Sequence, residues 1–153
     1  MGCGGATFYY DQLTNRLINS SNVAGVQTTT IYPKIFRNNE GVVIKAHIYS
    51  DASTTTQTNL SGLTWSAKIG DVGESAIITN SNSASFNLTE DWADANVAAG
   101  KICFAVNTSG SAIDTDLGTL ESKRYTCHIG GNDTEGDDCT VAQVYITLVN
   151  TPD

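Results

Sequence analysis

The sequence predicts an all-β fold: an antiparallel β-sandwich with one short helix and an N-terminal arm. Three observations lead there. Apolar and polar residues alternate over several short stretches, the period of a strand with one buried face. Uncharged polar residues are abundant, with 20 Thr, 13 Ser and 13 Asn. Charged residues make up only 16%, against about 25% in an average soluble protein. The 14 Gly supply turns, while 2 Pro are too few for a Pro-rich linker. At 153 residues and 40% hydrophobic content the chain makes one domain. Such a domain buries roughly 70% of its unfolded surface, so folding needs neither disulfide nor metal.

The elements follow in order. Residues 1–36 are the least regular, with short apolar pieces at 7–10 and 23–32 between polar turns. They form an N-terminal arm or the first strands, and 37–153 form the sandwich domain. Val42, Ile44, Ala46 and Ile48 then share one strand face, with Val43, Lys45, His47 and Tyr49 on the other. Residues 51–59 read as a Ser/Thr-rich loop. Leu63, Trp65, Ala67 and Ile69 point inward on the next strand, and residues 70–73 turn. Strands are expected at 75–79 and 84–88. Over 89–99 Thr89 can cap, Glu90 and Asp91 suit a first turn, Ala recurs and Gly100 follows, so the short helix is placed there. Ile102, Phe104 and Val106 return to strand, and 109–118 read as a loop. Tyr125, Cys127 and Ile129 face one way on the next strand. An acidic tip at 130–138 leads to the last strand, with Ala142, Val144, Ile146 and Leu148 inward. The expected core is therefore Val42, Ile44, Ile48, Leu63, Trp65, Ile69, Phe86, Ile102, Phe104, Val106, Tyr125, Val144, Ile146 and Leu148.

Charge excludes some function classes. The net charge is −8, and the eight basic residues are scattered, whereas nucleic-acid binding needs them clustered. No nucleic-acid partner is expected. No apolar run approaches the ~18–20 residues of a membrane span, so no membrane partner is expected either. Ala6 occupies the position where N-myristoylation needs Ser or Thr, and no apolar signal region follows Met1. Within the chain the charge is uneven. Residues 1–50 carry Arg16, Lys34, Arg37 and Lys45 against Asp11 and Glu40, while the remainder is strongly acidic. The two parts attract each other within one chain or between chains.

His47 and His128 lie in strands without a nucleophile signature such as G-x-S-x-G. No phosphate-binding loop, zinc-protease motif or dinucleotide fingerprint occurs. Asn132-Asp133-Thr134-Glu135-Gly136-Asp137-Asp138 could gather oxygens around calcium, as could Asp114-Thr115-Asp116. Neither has EF-hand spacing, so solvated turns are expected. No enzyme activity, no catalytic residue, no cofactor and no metal site are expected. The cysteines are Cys3, Cys103, Cys127 and Cys139, without a C-x-x-C. Cys103 alternates outward from Ile102 and Phe104 and is expected to stay out of any disulfide. Cys127 and Cys139 flank the acidic hairpin and could pair across it, though cytoplasmic synthesis favours thiols.

Trp65, with Tyr125 two residues before Cys127, matches part of the immunoglobulin pattern; the first Cys of that pattern is absent from 42–49. The runs Leu60-Ser61-Gly62-Leu63-Thr64-Trp65-Ser66-Ala67-Lys68-Ile69-Gly70, Ala98-Ala99-Gly100-Lys101-Ile102-Cys103-Phe104-Ala105-Val106 and Val144-Tyr145-Ile146-Thr147-Leu148 go further. They resemble the immunoglobulin-like β-sandwich domains of tailed-phage structural proteins, such as the N-terminal domain of baseplate upper proteins. The similarity covers about the last 95 residues. It implies a non-enzymatic structural protein of a bacteriophage virion, assembled in the host cytoplasm and docking onto tail, baseplate or fibre-attachment proteins. A homo-oligomer or multi-copy assembly is expected. Baseplate proteins of that kind continue into a coiled coil and a receptor-binding region, whereas this sequence runs to Asp153. Capsid decoration or a head fibre is therefore the rival expectation. A carbohydrate-binding module, with Trp65, Trp92 and tyrosines stacking on a glycan, is another, as is an extracellular filament subunit. In the virion reading, residues 1–36 are expected to contact other subunits, capsid or tail.

Overall fold

The alternation at 42–48 builds the strand around which the first of two sheets assembles. The computed structural model describes residues 5–19, 32–80, 86 and 92–152. In chain order the strands are β1 (Gly5–Asp11), β2 (Arg16–Ile18), β3 (Lys34–Phe36), β4 (Val42–Asp51), β5 (Thr56–Gln57), β6 (Thr64–Gly70) and β7 (Ile78–Asn80). After these come β8 (Lys101–Val106), the helix α1 (Ser111–Leu117), β9 (Ser122–Asn132) and β10 (Asp138–Val149). The first sheet runs β2-β1-β4-β5, with β8 also paired to β4; the second runs β3-β10-β9-β6-β7. The two sheets enclose one core, and the all-β sandwich expected from the sequence is what the structure shows.

Several details differ from the expectation. The strand expected at 75–79 forms only over Ile78–Asn80, and the one expected at 84–88 lies outside the described residues except Phe86, which is not in a strand. The sheets are mixed rather than antiparallel: β1 runs parallel to β4 and β3 parallel to β10. Both parallel pairings come from residues 5–36, which contribute strands to both sheets. Alternation along one strand reports its buried face but not the direction of its neighbour. The helix is also elsewhere. Within 89–99 the described residues 92–99 hold a turn and a single 3-10 turn, Val97–Ala99, and residues 89–91 lie outside the described part. Asn96 is extended: its side chain accepts from the Ala98 amide and its backbone bridges to Lys101. That arrangement competes with helix formation. The α-helix instead occupies 111–117, where a loop was expected. Gly110 and Gly118 bracket it, and Ile113 and Leu117, four residues apart, bury one face.

The expected core side chains are buried, except Leu63, which is half-buried against the core. Phe8, Tyr10 and Ile35 join them from the N-terminal segment, and Ile113 and Leu117 from α1. Three rings cross the sandwich in one stack: Trp65 on β6, Phe86, and Phe104 on β8, with centroids 5.2 and 4.7 Å apart. The few buried polar groups act as ties. Thr108 accepts from the Asn39 amide and donates to backbone carbonyls in 36–39, pinning the turn between β3 and β4 to the end of β8. Asp11, 3% exposed, accepts from the Ala52 and Leu13 amides and the Thr14 hydroxyl.

Candidate docking face

The outer face of the second sheet is set by strand parity. Ile35, Tyr125, Cys127, Ile129, Val144, Ile146, Leu148, Ala67 and Ile69 point into the core. Their neighbours therefore point out. The register places them in rows. Lys34, Thr147 and Arg124 lie side by side across β3, β10 and β9. Tyr145 and Thr126 form the next row, which ends at Gly70. Gln143, His128, Lys68 and Thr79 form the third. No carboxylate occupies an outward position in these rows, although the chain has 16 acids and 8 lysines and arginines. Asp71 and Glu74 stand beside the sheet, in the turn after β6.

Aromatic rings crowd one end of this face. The Arg124 guanidinium lies 4.5 Å from the Tyr145 ring centre and 5.4 Å from that of Tyr32, and the two rings meet edge to face. Tyr145 is 46% exposed and Phe36, at the edge of the sheet, 50% exposed. At the other end a groove of about 530 Å³ runs between residues 70–76 and the sheet, floored by Lys68, Thr126, His128 and Gln143. Gly70 belongs to its wall, and a Cβ there would press on Ala76 at 3.0 Å.

The residues weighed from sequence fall as follows. His128 lies in the groove and shares a hydrogen bond of 2.9 Å with Thr140. His47 lies on the outer face of the first sheet between Tyr9, stacked at 4.5 Å, and Trp92 at 5.0 Å. Burial there, reinforced by Lys101, holds its pKa below the usual histidine value, against the pull of Asp94. Trp92 covers Val43, Ala95 and Cys103. Trp65 is 4% exposed in the core stack, so it cannot serve as the sugar platform considered above. In the acidic tip, Asp133 accepts from the Glu135 and Asp137 amides, which fixes the turn. Carboxylate oxygens of Asp133, Glu135 and Asp137 lie within 4.8 Å of one another.

Asp114 and Asp116 are drawn apart to different cations. Asp114 pairs with Arg37 at 2.7 Å. Asp116 accepts from the Tyr125 hydroxyl at 2.5 Å and the Lys123 ammonium at 2.9 Å, and Lys123 also reaches Asp71 at 2.9 Å. The ammonium thus lies between Asp71 and Asp116, and carboxylate oxygens of Asp71, Glu74 and Asp116 lie within 4.8 Å of one another. The Tyr125 hydroxyl and then Lys123 hold the Asp116 carboxyl below the usual carboxylate range. A depressed pKa contributes stability that is present above about pH 4, the unfolded value, and lost as pH falls through the folded one. Asp116→Asn is therefore expected to cost about 1 kcal/mol at neutral pH and to flatten the acid-side loss of stability. Thermal melts between about pH 2 and 7 check this; an unchanged acid limb counts against it.

The suggested Cys127–Cys139 pairing is corrected by the register. Cys127 lies opposite Val144 and Cys139 opposite Gly131. They are four rungs apart, about 13 Å at ~3.3 Å per residue, beyond the ~7 Å limit for a disulfide. Both are thiols in the structure, and burial pushes that of Cys127 up to about 12. Cys103 is buried on the opposite side of β8 from Phe104, as the alternation requires.

Sequence reasoning passed over the cluster of Tyr32, Lys34, Arg124 and Tyr145. A signal was present: the outward residues of the middle rows include Lys34, Lys68 and Arg124 with no acid among them, the outward Asp138 lying at the tip end of β10. No protein-family model matches the chain, and no curated protein matches it. Among solved structures, the fold is similar to the N-terminal domain of phage TP901-1 ORF48. The TM-score is 0.48 and the identity 10%, over 97% of this chain and 99% of that chain.

Proposed function

We propose that the chain is a non-enzymatic structural protein of a bacteriophage virion, docking onto neighbouring tail, baseplate or fibre-attachment proteins through the outer face of its second sheet. The observation that carries the docking role is the chemistry of that face. Arginine and tyrosine are the residue types that anchor protein interfaces, because they offer large contact area and directional hydrogen bonds with little ordering cost. Here Arg124 and Tyr145 stack in the open, beside Lys34 and Phe36. The virion setting is supported by the similarity of residues 60–70, 98–106 and 144–148 to phage sandwich domains.

Mass spectrometry of purified particles from the encoding phage tests the setting, and immunogold labelling separates tail from capsid decoration or head fibre. The chain is expected in particles. Arg124→Glu combined with Tyr145→Ala should lower its copy number at least about tenfold with an unchanged melting temperature. Absence from particles overturns the virion role; normal incorporation of the double variant overturns this face as the docking surface. A second reading, glycan binding, is favoured by the groove lined with Lys68, Thr126, His128 and Gln143. A glycan array with purified protein, repeated with Gln143→Ala, tests it.

A further inference from the structure

We infer that this face receives the acidic β9–β10 hairpin tip of a second copy of the chain, so that copies join head to tail. The inference rests on the docking reading above and names the partner. It starts from charge. Lys34 and Arg124 stand in one row, separated only by Thr147, and neither takes part in the ion pairs of the described residues, which use Arg37 and Lys123. The tip is the complement: Asp133, Glu135 and Asp137 converge, and Asp138 follows. Converging carboxylates repel one another, and a cation from outside relieves that repulsion.

Reach decides that Arg124 of the same copy cannot serve the tip. Arg124 and Asp133 lie near opposite ends of one hairpin, nine residues apart, which is about 30 Å of extended strand. The tip turn is closed by its own hydrogen bonds, Asp133 to Asp137 and Gly136 to Asp133, so it does not fold back along its own sheet. The docking position on the face is also determined. Asp71 and Glu74 border the groove and oppose an acidic visitor there. At the Lys34–Arg124 end the outward row Lys34, Thr147 and Arg124 itself holds no carboxylate, and Tyr145 and Phe36 supply exposed apolar surface. Face and tip are different surfaces, so the contact is heterologous and propagates into a ring or an open file.

Sedimentation velocity on the full chain tests this. Self-association is expected at about 20 mM salt and should weaken at about 500 mM. Lys34→Glu with Arg124→Glu should weaken it at least about tenfold, as should Glu135→Lys with Asp137→Lys, which spares the turn-forming Asp133. Each variant should melt like the parent. Mixing the two variants should restore assembly, because an acidic face then meets a basic tip. A chain that stays monomeric at low salt, or association indifferent to both reversals, overturns the inference. If incorporation into particles still depends on Arg124 in that case, the docking role stands and the partner is a different protein.

Discussion

Removing residues 1–22 is expected to abolish folding of the chain, not merely to detach it from a neighbour. The reason is the place of β1. It lies inside the first sheet, between β2 and β4, and matches β4 over seven consecutive positions from Gly5 with Val43 to Asp11 with Tyr49. Its side chains Phe8 and Tyr10 are each 3% exposed, as is Ile18 on β2. Burying three such side chains contributes roughly 5–8 kcal/mol, comparable with the ~5–15 kcal/mol total stability of a typical domain. The deletion also strips β4 of its parallel partner and leaves the Ala52 amide without the Asp11 carboxylate. Circular dichroism of the shortened chain reads the outcome. A cooperative melt within about 10 °C of the full chain would show that the segment is dispensable to the sandwich.

How much of this was legible in the sequence depends on whether a signal is local. Strands β4, β6, β8, β9 and β10 announce themselves because each buries one face, and period two is visible without knowing the neighbour. The N-terminal strands are harder. β2 and β3 have three residues each, too short for alternation to stand out. β1 carries Thr7, Phe8, Tyr9 and Tyr10, where three adjacent aromatics conceal the two that point inward. The parallel pairings join residues far apart in the chain and leave no mark on either strand alone. The helix error was of another kind. Alanines and a following glycine made 89–99 look helical, while α1 rests on two buried side chains and flanking glycines. Burial against the sandwich overrode propensity.

The candidate face was written in the sequence but distributed over it. Lys34, Lys68, Arg124 and Tyr145 come from four strands, and each alone is an ordinary outward residue. Only the register turns them into neighbouring rows free of carboxylates. By contrast, the acidic tip is contiguous and visible at once, and it draws attention as a metal loop. The structure shows a turn organised by Asp133, whose carboxylates enter no ion pair among the described residues. The same limit explains the cysteines. Proximity to one hairpin suggested a pair, yet four rungs of β-ladder separate them.

Phe104→Ala should be the most damaging single substitution in the core, costing about 3–5 kcal/mol. Phe104 is fully buried, and its ring stacks at 25° on Phe86, which in turn stacks at 13° on Trp65. β8 belongs to the first sheet and β6 to the second, so this column of rings spans the gap between them. Truncating one end removes the transfer energy of the ring and opens a cavity beneath Phe86. Cys103 and Ala105, which flank it in β8, are held in the ladder to β4, so the strand closes on the cavity only partly. Phe104→Leu keeps most of the volume and should cost roughly 1–2 kcal/mol. Urea melts followed by tryptophan fluorescence measure both, with an unchanged slope indicating an intact two-state transition. The expected fall in melting temperature for the alanine variant is roughly 10 °C or more. A loss below about 1 kcal/mol would mean that the column does not bridge the sheets and that the inward face of β8 lies elsewhere.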